Sequence, residues 1–269
     1  KPLLIWLYEP GRDLPRETVD RIVQAAESWV YRRQMLRLSG SDLGRIVADV
    51  IAASIGVSAS EIAERVIGHL ARLNVTSTYW PGDEEVRLTL GTEAVYSRFP
   101  RGRLRMFLEA IEDHYRAETG QPPVERKGYP IEHILPRSWK DTWPVETSEA
   151  DEARQARVHR LGNLTLLTKS LNSKVSNGPW SAKRAALLQH NTITLTGRVV
   201  SKTEHHDWDE SLIDKRAAEL IDAILSIWPV PQGHLGKVVD PQTKAGDWVG
   251  LKHLIEAGLL GGGDTLSAF

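Results

Sequence analysis

Tyr129-Pro-Ile-Glu-His-Ile-Leu-Pro136 is the stretch on which the reading of this chain turns. A short apolar run bounded by proline reads as a strand. Pro136 ends it, because proline has no N–H to give to a ladder. Two titratable groups interrupt the run. Alternation along a strand sends Glu132 and His133 to opposite faces, so both can serve one site only at the strand's end. A neutral imidazole is the usual side chain for taking a proton from water near neutral pH. A carboxylate beside it is a hard oxygen donor of the kind that suits Mg²⁺ or Mn²⁺.

Downstream lie Leu161-Gly-Asn-Leu-Thr-Leu-Leu167 and Leu171-Asn-Ser-Lys-Val-Ser-Asn177. Asn163 follows His133 by 30 residues, and Asn172 follows Asn163 by nine. Leu164 to Thr168 reads as a second strand. Pro179 to Leu188 reads as a helix with proline near its first turn. The order is strand, long loop, strand, helix. An amide oxygen from Asn172 and the carboxylate of Glu132 could hold one metal ion and leave positions open for water and phosphate. These residues point to a metal-dependent nuclease centre of the His-Asn-Asn kind.

Ile131-Glu-His-Ile-Leu-Pro136, Leu161-Gly-Asn-Leu-Thr-Leu166 and Leu171-Asn-Ser173, with Asn177 and Lys183, resemble the C-terminal HNH nuclease domain of GmrSD-type modification-dependent restriction enzymes. That family includes the phosphorothioation-sensing SspE proteins. Trp29-Val-Tyr-Arg-Arg33 resembles the family's paired-arginine helix, and Asp209 to Trp228, with Arg216, its final helix; the likeness covers roughly residues 15–229. The resemblance implies a ββα-metal core in which His133 is the general base and a divalent ion, Mg²⁺ or Mn²⁺, is held by Glu132 and Asn172. It also implies that Asn163 fixes the loop carrying His133. It implies DNA as substrate, phage or modified DNA in particular, and a nucleotide-hydrolysing sensor domain N-terminal to this piece. The chain begins at Lys1 rather than Met, which reads as a fragment of a longer protein, and it contains no Gly-rich phosphate loop.

Composition sets the outer bounds. The net charge of −1 announces no nucleic-acid partner, but the distribution does. From Ala153 to Val200 there are eight Lys or Arg and no Asp or Glu. Such a run reads as a phosphate-binding surface, with Arg160, Lys169, Lys174 and Lys183 as its candidate DNA contacts. The absence of cysteine excludes disulfides and Cys-based zinc sites and is compatible with a cytoplasmic location. No run approaches the ~20 apolar residues of a membrane helix.

Residues 1–125 read as a helical region for scaffolding or DNA docking, 126–229 as the nuclease domain, and 230–269 as a tail. The fold class is therefore mainly α with a small β component. Residues 1–14 look mixed. Helices are expected from about Pro15 to Leu36, after a cap at Ser41-Asp42, after the capping box Ser58-Ala-Ser-Glu61, and from Arg101 to Glu118. Asp83 can cap a short helix, and residues 149–160 look helical. Arg32 and Arg33 suit either a helix C-terminus or a DNA contact. His69 and His114 read as structural or solvent-facing, and His159 as an orienting neighbour of the site. Trp139 and Trp143 read as packing residues of the long loop. Thr192-Ile-Thr-Leu-Thr196 alternates like a strand. His205-His-Asp207 looks like a zinc cluster but has no partner at ligand spacing. Asp209 caps a final helix to Trp228. From Trp248 the tail resembles the start of a small module attached to restriction and modification proteins.

The favoured function is a metal-dependent DNA endonuclease that nicks. The rivals are a catalytically inactive DNA-binding or sensor module and a protein-interaction scaffold for the N-terminal domain.

Overall fold

A computed structural model describes residues 1–171, 178–203 and 207–237. Among these the chain is mainly helical, with one two-stranded sheet. It divides into two compact units. One is Lys1–Thr89 with the segment from Trp228, and the other is Leu90–Ile227. The division falls within the helix Asp83–Thr92.

The first unit packs α1 (Pro2–Leu7), α2 (Arg16–Met35), α3 (Leu43–Ala53) and α4 (Ile62–Ala71) around Trp6, Ile22, Trp29, Ile46, Val66 and Trp80. The start expected to be mixed is thus helical, with Leu3, Trp6 and Leu7 on its buried face. Helix α5 (Asp83–Thr92) begins at the expected Asp83. Arg32 and Arg33 are only 1% exposed, which rules out a DNA contact there. Arg32 donates to the carbonyls of Trp228 (2.6 Å) and Pro81 (3.3 Å) and pairs with Asp83. Arg33 donates to the carbonyls of Ser39, Ser77 and Tyr79 at 2.6 to 2.8 Å. The guanidinium fork has donors enough to satisfy several loop carbonyls at once, and so holds irregular backbone that no sheet covers.

The second unit contains α6 (Val95–Arg98), α7 (Arg101–Glu118), β1 (Ile131–His133), α8 (Ser148–Arg157), a 3₁₀ turn at Leu161–Asn163, β2 (Leu164–Leu166), α9 (Trp180–His190), α10 (Thr194–Lys202) and α11 (Glu210–Ile227). β1 and β2 are antiparallel, with Ile131 opposite Leu166 and His133 opposite Leu164. Trp139, Trp143, Trp180 and Trp208 enter one apolar cluster with Leu167 and Ile213, so the long loop's tryptophans pack rather than stack on bases.

Thr192 to Thr196 is not a strand. Helix α10 starts at Thr194 because Glu112 of α7 reaches its first N–H groups: Thr194 N at 2.9 Å and Leu195 N at 2.6 Å. A carboxylate at a helix N-terminus satisfies orphan donors and suits the dipole. Arg216 of α11 is buried and donates to the carbonyls of Gly162 (2.6 Å) and Leu164 (2.8 Å), tying the final helix to the turn and the sheet. Asp209 caps α11 as expected, accepting from Leu212 N at 2.9 Å.

Gly162 allows α11 to lie on the turn: a Cβ there would stand 1.9 Å from the Ile213 carbonyl oxygen, which is backbone and cannot step aside. Gly162→Ala is therefore expected to destabilise the protein by about 3 kcal/mol, the upper part of the overpacking range. Urea unfolding of the variant checks this, and an unchanged midpoint contradicts it.

Candidate active site at His133 and His159

His133 is the last residue of β1, and the chain beyond it is held by one buried side-chain amide. Asn163 Oδ1 accepts from Leu135 N at 2.8 Å, and its Nδ2 donates to Leu135 O at 2.9 Å. Nδ2 also donates to Val158 O at 2.8 Å, while Oδ1 accepts the Trp208 indole N–H at 3.2 Å. Both donors and both lone pairs of the amide are thereby used. Leu135 follows His133 by two residues, and Val158 precedes His159. The amide fixes both backbones that carry imidazoles, and His133 Nε2 lies 3.1 Å from His159 Nδ1.

Tyr96 forms the wall. Its ring meets His133 edge-on, with centroids 4.3 Å apart, and stacks on His159 at 5.5 Å and 11°. Tyr96 N–H donates to His159 O at 3.1 Å. The Arg101 guanidinium covers Tyr96, 3.4 Å from the ring centroid. Burial pulls His133 down to about 3, and His159, Arg137, Lys183 and Arg101 add to the effect. His159 is also lowered, by burial first and then by Arg137 and Arg101. The two imidazoles share one hydrogen bond, and both are shifted toward the neutral form.

Glu132 and Lys183 meet, but not at a phosphate. Lys183 Nζ is buried and donates to Glu132 Oε1 (2.9 Å), His133 O (2.6 Å) and Ile134 O (3.1 Å). An ammonium has three N–H groups, and these bonds use all three. The expected phosphate contact gives way to an internal role, bracing the backbone of His133 from α9. Burial lowers the Lys183 pKa, while Glu132 raises it.

The basic stretch is also largely paired. Arg154 meets Glu210, and Arg157 and Arg160 meet Asp214, all across to α11. Arg198 meets Glu118. Lys169 is exposed, whereas Asn172, Asn177, Lys174, His205 and His206 lie outside the described residues.

The structure thus brings together His133, His159, Asn163, Glu132 and Lys183. Sequence reasoning missed Tyr96, Arg101 and Arg137. Tyr96 and Arg101 belong to the helical region read as a scaffold or DNA-docking element. The only local signal was an aromatic between basic residues in Tyr96-Ser-Arg-Phe-Pro-Arg101. No group of three His, Cys, Asp or Glu gathers as a metal cluster among the described residues. Glu132 remains a fitting hard-oxygen donor by type and place: only its Oε1 receives Lys183.

Two outcomes follow. A histidine lowered in the fold binds its proton more readily when unfolded, so its contribution to stability is intact above pH ~6.5 and lost as pH falls toward the folded value. Stability is therefore expected to decline between pH 6.5 and 4.5, above the main carboxylate range, and His133→Asn is expected to flatten that decline in pH-dependent urea titrations. Lys183→Met leaves Glu132 and two carbonyls without their donor and is expected to cost about 3 kcal/mol. A variant as stable as the parent but weaker for DNA would instead return Lys183 to the surface role.

A family model described as GmrSD restriction endonucleases, C-terminal domain, matches residues 80–223. The matched span begins early enough to take in Tyr96 and Arg101. No curated protein shows a match to the chain. With more than half of its 269 residues inside that span, the chain belongs to the GmrSD restriction endonuclease C-terminal domain family.

Proposed function

We propose that this chain is the cutting part of a restriction enzyme and hydrolyses DNA phosphodiester bonds with the help of a divalent ion. The observation that carries the proposal is the placement of His133: at the end of β1, 5% exposed, and 3.1 Å through Nε2 from a second imidazole. If His133 Nε2–H donates to His159 Nδ1, the Nδ1 of His133 is left as the basic nitrogen. His133 then takes a proton from water, and the hydroxide attacks phosphorus in line, expelling the 3′-oxygen. An approaching phosphate brings negative charge, which favours the imidazolium and opposes the depression caused by Arg101 and Arg137. The base thus strengthens when substrate arrives.

Glu132 through Oε2, with Asn172, would hold the ion, Mg²⁺ or Mn²⁺. When bound, it supplies positive charge for the phosphate and the leaving oxygen. Asn163 acts by placing His133, and Lys183 by bracing the strand end and balancing Glu132. One such centre cuts one strand, so nicking is the proposed outcome. The proposed setting is defence against phage or modified DNA, with a nucleotide-hydrolysing sensor domain as partner.

One observation favours a second reading, a DNA-binding or sensor module without activity. Glu132 is already neutralised by a buried lysine, and a carboxylate so paired is a poorer cation ligand. Supercoiled plasmid with Mg²⁺ or Mn²⁺ separates the two. Nicked circles are expected from the parent, and a loss of at least about a hundredfold from His133→Ala, the lower range of general-base contributions; EDTA should stop cleavage. Full activity in His133→Ala would sink the assignment of the base, while binding without cleavage on suitably modified DNA would favour the inactive module.

A further inference from the structure

We infer that Arg101, spread over Tyr96, is the residue that grips the DNA phosphate at this site, with Arg137 as its companion. This rests on the nuclease reading above. The basic stretch 154–198 is the obvious candidate for that task, but the pairs to Glu210, Asp214, Glu132 and Glu118 occupy Arg154, Arg157, Arg160, Lys183 and Arg198. The cations at the imidazoles come from elsewhere in the chain. Arg101 opens α7, and Arg137 follows His133 by four residues. Both are exposed, and among the described residues no carboxylate pairs with either.

The hydrogen bonds of Arg101 leave a usable edge. Its Nη1 donates to the carbonyls of Tyr96 and Phe99. Its Nε–H and one face of Nη2 have no protein acceptor among the described residues. That pair of parallel N–H groups is the fork that matches two phosphate oxygens. The cation is also held in advance. Stacking on Tyr96 and two carbonyl bonds remove much of the side-chain freedom that a lysine would lose on binding. Tyr96 touches both imidazoles, so a single ring separates the guanidinium from His133. A phosphate on that fork would lie beside the group that activates water. The influence of Arg101 and Arg137 on both imidazoles supports the same placement.

The test is binding of a short fluorescent DNA duplex to the whole chain in EDTA, followed by anisotropy across a salt series. Each lost phosphate contact should reduce the slope of log K against log salt by about one. Arg101→Gln is expected to bind about tenfold more weakly, as for a lost charged hydrogen bond, with the slope reduced by about one. Arg101→Lys should recover the slope but not the full affinity. Arg137→Gln removes no hydrogen bond among the described residues and should lower the slope independently, even if Arg101→Gln folds poorly. Arg198→Gln should leave affinity and slope unchanged. An unaltered slope in both Arg101→Gln and Arg137→Gln, or a loss confined to Arg198→Gln, overturns the inference while leaving cleavage by the parent intact. A parent chain that binds no DNA in EDTA overturns the inference, and the nuclease reading falls with it only if plasmid with Mg²⁺ or Mn²⁺ also stays intact.

Discussion

The side-chain amide of Asn163 is the constraint on which the site depends. It lies fully buried, and its four hydrogen bonds reach Leu135 twice, Val158 and Trp208. Each bond is worth about 1 kcal/mol net, but a buried amide left unpaired costs more than that. The energy matters less here than the geometry. β1 ends at His133 and α8 ends at Arg157, so neither by itself sets the distance between residues 133 and 159. The amide sets it, by clamping the backbone beside each.

A similar substitution recurs through the second unit. Strands of three residues make too few ladder bonds to organise their surroundings. Buried charged side chains take over that work. Arg216 links α11 to the turn and β2, Glu112 starts α10, and Lys183 joins α9 to the end of β1. Thr196 adds a neutral bond, donating to Leu166 O at 2.7 Å. Charges buried in this way are held by several partners each, which is the condition under which they are tolerated. The first unit uses the same device within itself, through Arg32 and Arg33.

This device explains what was legible in the sequence. Helix α7 and the Asp209 cap were readable because apolar spacing and capping are local signals. Both strands were readable from their apolar runs, though each is shorter than those runs suggest. Thr192 to Thr196 misled because its alternation is local, whereas the carboxylate that starts a helix there belongs to residue 112. Charge counting misled in the same way. The run from Ala153 to Val200 has no acidic residue within it, but its partners stand on α7, β1 and α11. His133 and Asn163 could be picked out as chemistry; that Tyr96 and Arg101 stand against them could not, since nothing in a linear pattern joins residue 96 to residue 159.

The contacts made by α11 carry a consequence for synthesis. Trp208 completes the hydrogen bonding of Asn163, and Arg216 holds the turn in which Asn163 sits. A chain emerging from the ribosome has His133 and His159 outside long before those residues appear. Domains generally fold as units once their sequence is out. The nascent chain therefore gathers His133 and His159 into their folded arrangement only after α11 has been made. The pairing of the two imidazoles is thus completed by a helix that follows both of them in the chain, not by the strands beside them.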